Sequence, residues 1–313
     1  MKSVIGTSVI EAGKFLTDGL TIGMPTETVY GLAANALNAT AVAQIFEIKK
    51  RPTFDPLIVH IGSMVQLSQI VESIPIKAQK LIDSFWPGPL TLILKRKSVV
   101  PDLVTSGLET VGVRMPDHEL ALQLLRSLPF PLAAPSANPF GYISPTNAQH
   151  VMDQLGESVP YILDGGECAV GVESTIVSFE NEVPCVLRLG GLTIELIESV
   201  IGPVEVNTIS SSNPHAPGML LSHYSPRKPM IEGDVSAYFS SANKGTIQFQ
   251  GKEKSPRNRV LSENGNLNEA AQNLFKIMRE LDRESIDEII FEYVPNEGLG
   301  QAINDRLKRA SNK

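Results

Sequence analysis

The 313 residues amount to about twice a typical domain of ~150 residues, so two domains are expected. With 42% hydrophobic and 19% charged residues, the composition is that of an ordinary globular protein and excludes a fibrous or wholly disordered chain. The net charge of −7 falls entirely on residues 1–202, which hold 13 basic and 20 acidic side chains, whereas 203–313 hold 14 of each; neither part has the bulk positive charge of a nucleic-acid binder.

Residues 1–202 alternate short apolar runs with helical patterns. Strands are expected over 20–24, 57–61, 90–94, 111–115, 132–134, 161–163, 175–179 and 185–189, several rich in β-branched residues and bounded by Gly or Pro. Helices are expected over 9–18, 39–50, 76–85, 118–127, 147–155 and 193–200. In the second of these, Val42, Ile45, Phe46 and Lys49 share one face, the apolar members pointing to a core. Strands interleaved with helices predict an α/β sheet domain. Residues 203–228 are rich in Ser, Asn, Pro and Gly and have no clear period, as a linker or long ordered loop would. Alternation resumes with strands over 228–231, 245–249, 259–261 and 288–292 and helices over 267–281 and 299–309, enough for a small βαβ-type domain.

Cys168 and Cys185 are the only cysteines, too few for a disulfide framework or a zinc ribbon, and reduced thiols are expected. The first 15 residues lack the apolar stretch of a signal peptide, and no apolar run approaches the ~20 residues that span a bilayer. A soluble, cytoplasmic protein without a membrane partner is the expectation.

No P-loop, G-x-G-x-x-G, G-x-S-x-G, kinase signature or H-E-x-x-H is present. Chemistry must therefore sit elsewhere, and four segments carry polar groups inside apolar strand–turn contexts. Pro25-Thr26-Glu27-Thr28-Val29-Tyr30 follows an expected strand, where α/β sheets bind ligands, although either threonine could simply cap a turn. Lys49-Lys50-Arg51 closes a helix, where cations also serve as plain dipole partners, and His60 sits in an apolar strand. Arg114, in Val111-Gly112-Val113-Arg114, must reach an edge or find an anion, either a structural carboxylate or a ligand. Ser136, Asn138, Ser174, Thr175 and Arg188 place hydroxyl, amide and guanidinium groups at further strand ends. Together these describe a pocket for an anionic ligand with no obvious nucleophile.

In order, PTETVYGL (25–32), Lys49 and Arg51 as K-x-R, PLIVHI (56–61), WPGPLTLIL (86–94), VGVRMP (111–116), APSAN (134–138), ESTIV (173–177) and RLGG (188–191) resemble the threonylcarbamoyl-AMP synthase family, the YrdC-like fold, over roughly residues 8–202. PGM…HYSP (217–226) and the tail resemble its long, two-domain form. The resemblance implies an open twisted α/β sheet with a concave, basic-lined site in residues 1–202, a linker or lid over 203–228, and a smaller Rossmann-like α/β accessory domain over 229–313. It implies synthesis of L-threonylcarbamoyl-adenylate from L-threonine, bicarbonate and ATP, with Mg2+ accompanying ATP and no metal ligands assigned to the protein. The product feeds the machinery that modifies the tRNA adenosine next to the anticodon; direct tRNA binding stays open. By position, L-threonine would meet Thr28, Tyr30, His60, Arg114, Ala134 and Ser174. ATP would meet Lys49, Arg51, Asp55, Thr110, Ser136, Asn138, Ser144, Arg188 and Tyr224.

The chain departs from the family pattern at Asp55, where Asn is usual, and at Leu220, Leu221 and Ser222, where the linker is usually basic. Residues 214–226, with His215, Pro217, Met219, His223, Tyr224 and Pro226, are expected to fold over the pocket so that Tyr224 reaches the nucleotide. Three other readings are weighed: a non-catalytic RNA-binding module of the same fold, disfavoured by the acidic first domain; a hydrogenase-maturation carbamoyltransferase, disfavoured by only two cysteines; and a purely structural protein, which leaves the polar strand ends unexplained.

Overall fold

A computed structural model of the chain describes residues 3–180, 183–208 and 222–312. The first part runs β1 (Val4–Gly6), α1 (Val9–Thr17), β2 (Ile22–Met24), β3 (Gly31–Asn35), α2 (Ala39–Lys49), β4 (Ile58–His60), α3 (Met64–Ile70), α4 (Ile76–Phe85), β5 (Leu90–Lys95), α5 (Asp102–Thr105), β6 (Thr110–Arg114), α6 (Glu119–Ser127), β7 (Leu132–Ala133), α7 (Ala148–Leu155), β8 (Tyr161–Leu163), β9 (Thr175–Ser178), β10 (Cys185–Arg188), α8 (Ile194–Ile201) and β11 (Glu205–Val206). Its strands form one mixed sheet in the order β1-β8-β2-β3-β7-β4-β6-β5-β9-β10-β11. Val42, Ile45, Phe46 and Leu92 belong to the larger core, while Ala12, Leu16, Leu124 and Leu125 of α1 and α6 form a second with Ile22 and Leu132.

The second part runs β12 (Met230–Glu232), a 3-10 turn (Val235–Tyr238), β13 (Lys244–Gln250), β14 (Asn258–Ser262), α9 (Leu267–Arg283), β15 (Glu288–Phe291) and α10 (Leu299–Ser311). Its sheet, β12-β15-β13-β14, is parallel throughout, as the βαβ reading requires. One apolar cluster joins the two parts: Val29, Ile143 and Val172 of the first pack with Tyr224 and with Ala271, Leu274 and Phe275 of α9. At Gly171 (φ +79°), a Cβ would lie 2.4 Å from the Gln272 Cα, so only glycine admits so close an approach of α9.

Three strands depart from the sequence reading. β3, GLAAN, lacks β-branched residues and is almost wholly buried, so it shows neither strand propensity nor alternation. β1 holds three residues, too few for a period. β11 lies inside the polar stretch expected to be a linker; it pairs with β10 through its backbone, so the first sheet extends beyond residue 202. Helices α3 (seven residues) and α5 (four residues) are equally too short to show a period.

Candidate functional site

The site is built at strand ends. β4 and β6 are parallel and in register, His60 beside Arg114, so both side chains leave the sheet at its carboxyl edge. β2 ends at Met24 and delivers residues 25–30, and Gly31 bridges to Ser136, bringing the loop after β7 alongside. These segments, with the start of β9 and the end of β10, form a partly open cavity. Thr28, His60, Arg114, Ala134 and Ser174 line it, as do Arg51, Ser136, Arg188 and Tyr224.

In the 25–30 turn the two threonines divide the work. The Thr26 hydroxyl accepts from the Thr28 and Val29 amides (3.2 Å each) and donates to the Val29 carbonyl (2.7 Å), closing the turn. Thr28 is left to accept from Arg114 Nη1 (2.8 Å). Arg114 Nε donates to the Gly88 carbonyl at 3.1 Å. Its Nη2 lies 2.5 Å from Glu27 Oε2, yet neither atom has hydrogen-bond geometry, so the contact is a close ion pair with donors to spare.

Helix α2 ends in a left-handed residue, Lys50 (φ 51°); the Lys50 and Arg51 amides bond back to Glu47 and Phe46, and the chain turns Arg51 towards the cavity. Lys49, buried as the last helical residue, donates to the Ser136 and Asn138 carbonyls (2.5 Å each) and so sets the 134–138 loop. Burial, reinforced by the Arg51 charge, holds its amine well below the ordinary lysine range. Arg51 pairs with Asp55 (2.9 Å) and donates to the Asp55 and Pro56 carbonyls. Burial pushes the Asp55 carboxyl up, and the Arg51 and Lys49 charges pull it back.

Arg188 donates from Nε to the Ser174 carbonyl and from Nη2 to its hydroxyl, both at 3.0 Å, while Thr91 holds that hydroxyl from the other side (2.8 Å). Glu173 also lines the cavity; Ser144 donates to its Oε1 (2.5 Å) and Arg306 of α10 to its Oε2 (2.9 Å). With Glu173 on the wall and Glu27 behind Arg114, the lining is mixed rather than uniformly basic.

His60 and His223 line the cavity, each with an unpartnered Nδ1. Burial, then the Arg114 charge, lowers the His60 pKa to about 3. The unfolded chain binds this proton near pH 6.5 and the folded chain refuses it until about pH 3, so the contribution of His60 to stability is complete above 6.5 and is lost on acidification through that window. Replacing His60 by glutamine should flatten the acid limb of a urea-midpoint profile by about 1.4 kcal/mol per pH unit; an unchanged slope would show that His60 already protonates in the folded state. Tyr224, at φ 64°, stacks on Phe275 with ring centroids 5.6 Å apart. Burial pushes its phenol up to about 12, which keeps it a donor.

Six of the expected residues stand off the cavity wall. Lys49 sets the 134–138 loop from behind, the Asn138 amide donates to the Pro139 and Tyr142 carbonyls, Asp55 backs Arg51 and Ser144 backs Glu173. Tyr30 turns its hydroxyl away, donating to the Gly166 carbonyl (2.8 Å) and accepting from the Gly165 amide (3.0 Å). Thr110 opens β6 whereas Arg114 ends it, a separation of about 13 Å along the strand, and it borders a different, small cavity with Leu57 and Leu108. Among residues missed as ligand candidates, Glu173 and His223 line the cavity beside Thr26, Val29, Gly31, Ile58 and Pro135. His215, Pro217 and Met219 of the expected lid lie outside the described residues. Both cysteines are free and buried.

Two family profiles cover nearly the whole chain: one described as Telomere recombination matches residues 14–190, and one described as Threonylcarbamoyl-AMP synthase, C-terminal domain, matches residues 192–312. A threonylcarbamoyl-AMP synthase of Pyrococcus abyssi is 42% identical over 96% of this chain and 93% of its own length. That of Bacillus subtilis is 41% identical over 97% and 92%. The crystal structure of P. abyssi Sua5 complexed with L-threonine matches with a TM-score of 0.93 at 39% identity, covering 99% of this chain and 98% of that one. The cavity, its strand-end arginines and hydroxyls, and these likenesses over both parts agree: the chain belongs to the threonylcarbamoyl-AMP synthase family.

Proposed function

We propose that the chain makes L-threonylcarbamoyl-adenylate from L-threonine, bicarbonate and ATP, releasing pyrophosphate. The observation that carries this is the convergence of Arg51, Arg114 and Arg188 with the hydroxyl-bearing Thr28, Ser136 and Ser174 in one cavity. Thr28 and Ser174 are bonded to guanidinium groups, not to an imidazole, so neither has a base that would make it a nucleophile. No covalent enzyme intermediate is required. The threonine amine adds to the bicarbonate carbon, losing water, and the resulting N-carboxylate oxygen attacks the α-phosphorus as the bond to pyrophosphate breaks. The protein positions two anions and offsets phosphate charge; positioning and electrostatic stabilisation supply most of the catalysis in such transfers.

In this reading Thr28, His60, Arg114, Ala134 and Ser174 hold threonine, and Arg51, Ser136, Arg188 and Tyr224 hold ATP. Lys49, Asn138, Asp55 and Ser144 set those groups from behind. The near carboxylates, Glu27 and Glu173, are already ion-paired, and among the described residues no three His, Cys, Asp or Glu side chains are grouped to hold a metal. Mg2+ would accordingly arrive with the triphosphate, held by phosphate and water oxygens. Residues 1–202, with β11 of the 203–228 stretch added to their sheet, would be the catalytic domain, the rest of that stretch the linker and 229–313 the accessory domain. No described helix is long and apolar enough to cross a membrane. Two free buried thiols fit the cytoplasm, where the product would pass to the tRNA threonylcarbamoyl-transfer machinery.

Pyrophosphate release by the purified chain should require ATP, bicarbonate and threonine together. Serine, lacking one methyl group, should be used about 10–200-fold less well. Equal release without threonine would overturn the assignment.

A further inference from the structure

We propose that Arg306, on the last helix of the second domain, is a positioning residue for the cavity of the first, and that this is how the accessory domain takes part in the reaction proposed above. Its side chain is fully buried. Nε lies 2.9 Å from Glu173 Oε2, Nη2 donates to the Leu189 carbonyl at 2.7 Å, and Nη1 meets Asp305 at 2.7 Å. The flat guanidinium also lies over the Tyr224 ring, 4.9 Å from its centroid. Glu173 and Tyr224 both line the cavity, and they come from stretches about fifty residues apart in sequence. One side chain of α10 thus fixes a carboxylate on one wall and an aromatic ring on another.

The next turn of the helix extends the hold. Arg309 donates from Nη2 to the Thr208 carbonyl (2.7 Å), and its own carbonyl accepts the His223 amide (3.3 Å), which fixes a third lining residue from the backbone. A buried ion pair is a poor way to glue two domains, because apolar packing of the same volume often does better. An apolar residue, however, could not orient the Glu173 carboxylate, and a lysine could not present a flat face to Tyr224 while reaching the Leu189 carbonyl.

The test uses the full chain with Arg306→Lys, Arg306→Met, Glu173→Gln and the pair Arg306→Met with Glu173→Gln. Michaelis constants for ATP and threonine are measured alongside thermal melting and calorimetric binding of each substrate. Arg306→Lys should keep the fold while the KM of at least one substrate rises and kcat/KM falls about 10–100-fold, as a small misplacement of binding groups produces. In the paired variant the loss should be smaller than the product of the single losses, because both act on one contact. Should Arg306→Met alone fail to fold, Arg306→Lys and the paired variant decide. A folded Arg306→Lys with unchanged KM and kcat, or fully additive losses, would overturn the proposal. If the unmodified chain showed no threonine-dependent pyrophosphate release, the functional reading would fail instead, and the affinities of the same variants for ATP would still decide the role of Arg306.

Discussion

Replacing Arg114 by methionine should abolish threonine binding and lower the stability of the fold by about 3–5 kcal/mol. Arg114 is 3% exposed, and its guanidinium is held by Thr28, the Gly88 carbonyl and Glu27. Its removal leaves the Glu27 carboxylate buried, with neither oxygen hydrogen-bonded. Two effects are then superposed, and Glu27→Gln separates them. Added to Arg114→Met it should recover much of the stability, because the orphaned charge is gone, yet none of the threonine affinity. Arg114→Lys keeps the charge but cannot serve Thr28, the Gly88 carbonyl and Glu27 at once while offering a fork to a substrate carboxylate. Urea unfolding and calorimetry of threonine binding measure the two effects. Unchanged threonine affinity in the lysine variant would remove Arg114 from the carboxylate role.

Gly190→Ala should also be damaging, although glycine carries no chemistry. A Cβ at this position would lie 2.3 Å from the Glu173 carbonyl oxygen, 2.4 Å from the Ser174 carbonyl carbon and 2.5 Å from the Thr175 nitrogen. These are backbone atoms at the entry to β9 and cannot swing aside as a flexible side chain would. The chain after β10 must therefore move away from Glu173 and Ser174, two cavity-lining residues, and Arg188 moves with it. Overpacking of this kind costs about 1–3 kcal/mol, and the displaced groups should reduce threonine-dependent pyrophosphate release by at least about 100-fold. Melting and turnover of the purified variant check both; wild-type turnover would show that the close approach at Gly190 does not set the site.

How much of the fold and site is legible in the sequence varies with the distance over which each cause acts. Strand 161–163 and helix 76–85 coincide with β8 and α4, since both carry their signal within one short window. Arginines in apolar strands point to anion partners, and Arg114 has one in Glu27 while keeping a face on the cavity. Tyr30 is placed at the pocket by the likeness of PTETVYGL alone, and a motif does not say where a side chain turns: the phenol bonds to Gly165 and Gly166. Thr110 lies at the opposite end of β6 from Arg114, beside another cavity, and a motif does not say which end of a strand faces a ligand. Glu173 carries no local signal, because its partners Ser144 and Arg306 are 29 and 133 positions away. The likeness at RLGG is visible in the letters, but the need for glycine at 190 lies in a backbone that only folding brings near.

The most direct measurement supplies 13C-labelled bicarbonate with ATP and L-threonine to the purified chain and analyses the nucleotide products by mass spectrometry. The assignment requires an adduct that contains AMP, threonine and the labelled carbon, formed in step with pyrophosphate. An adenylate of threonine that lacks the labelled carbon, or pyrophosphate released with no threonine-containing nucleotide, would contradict it.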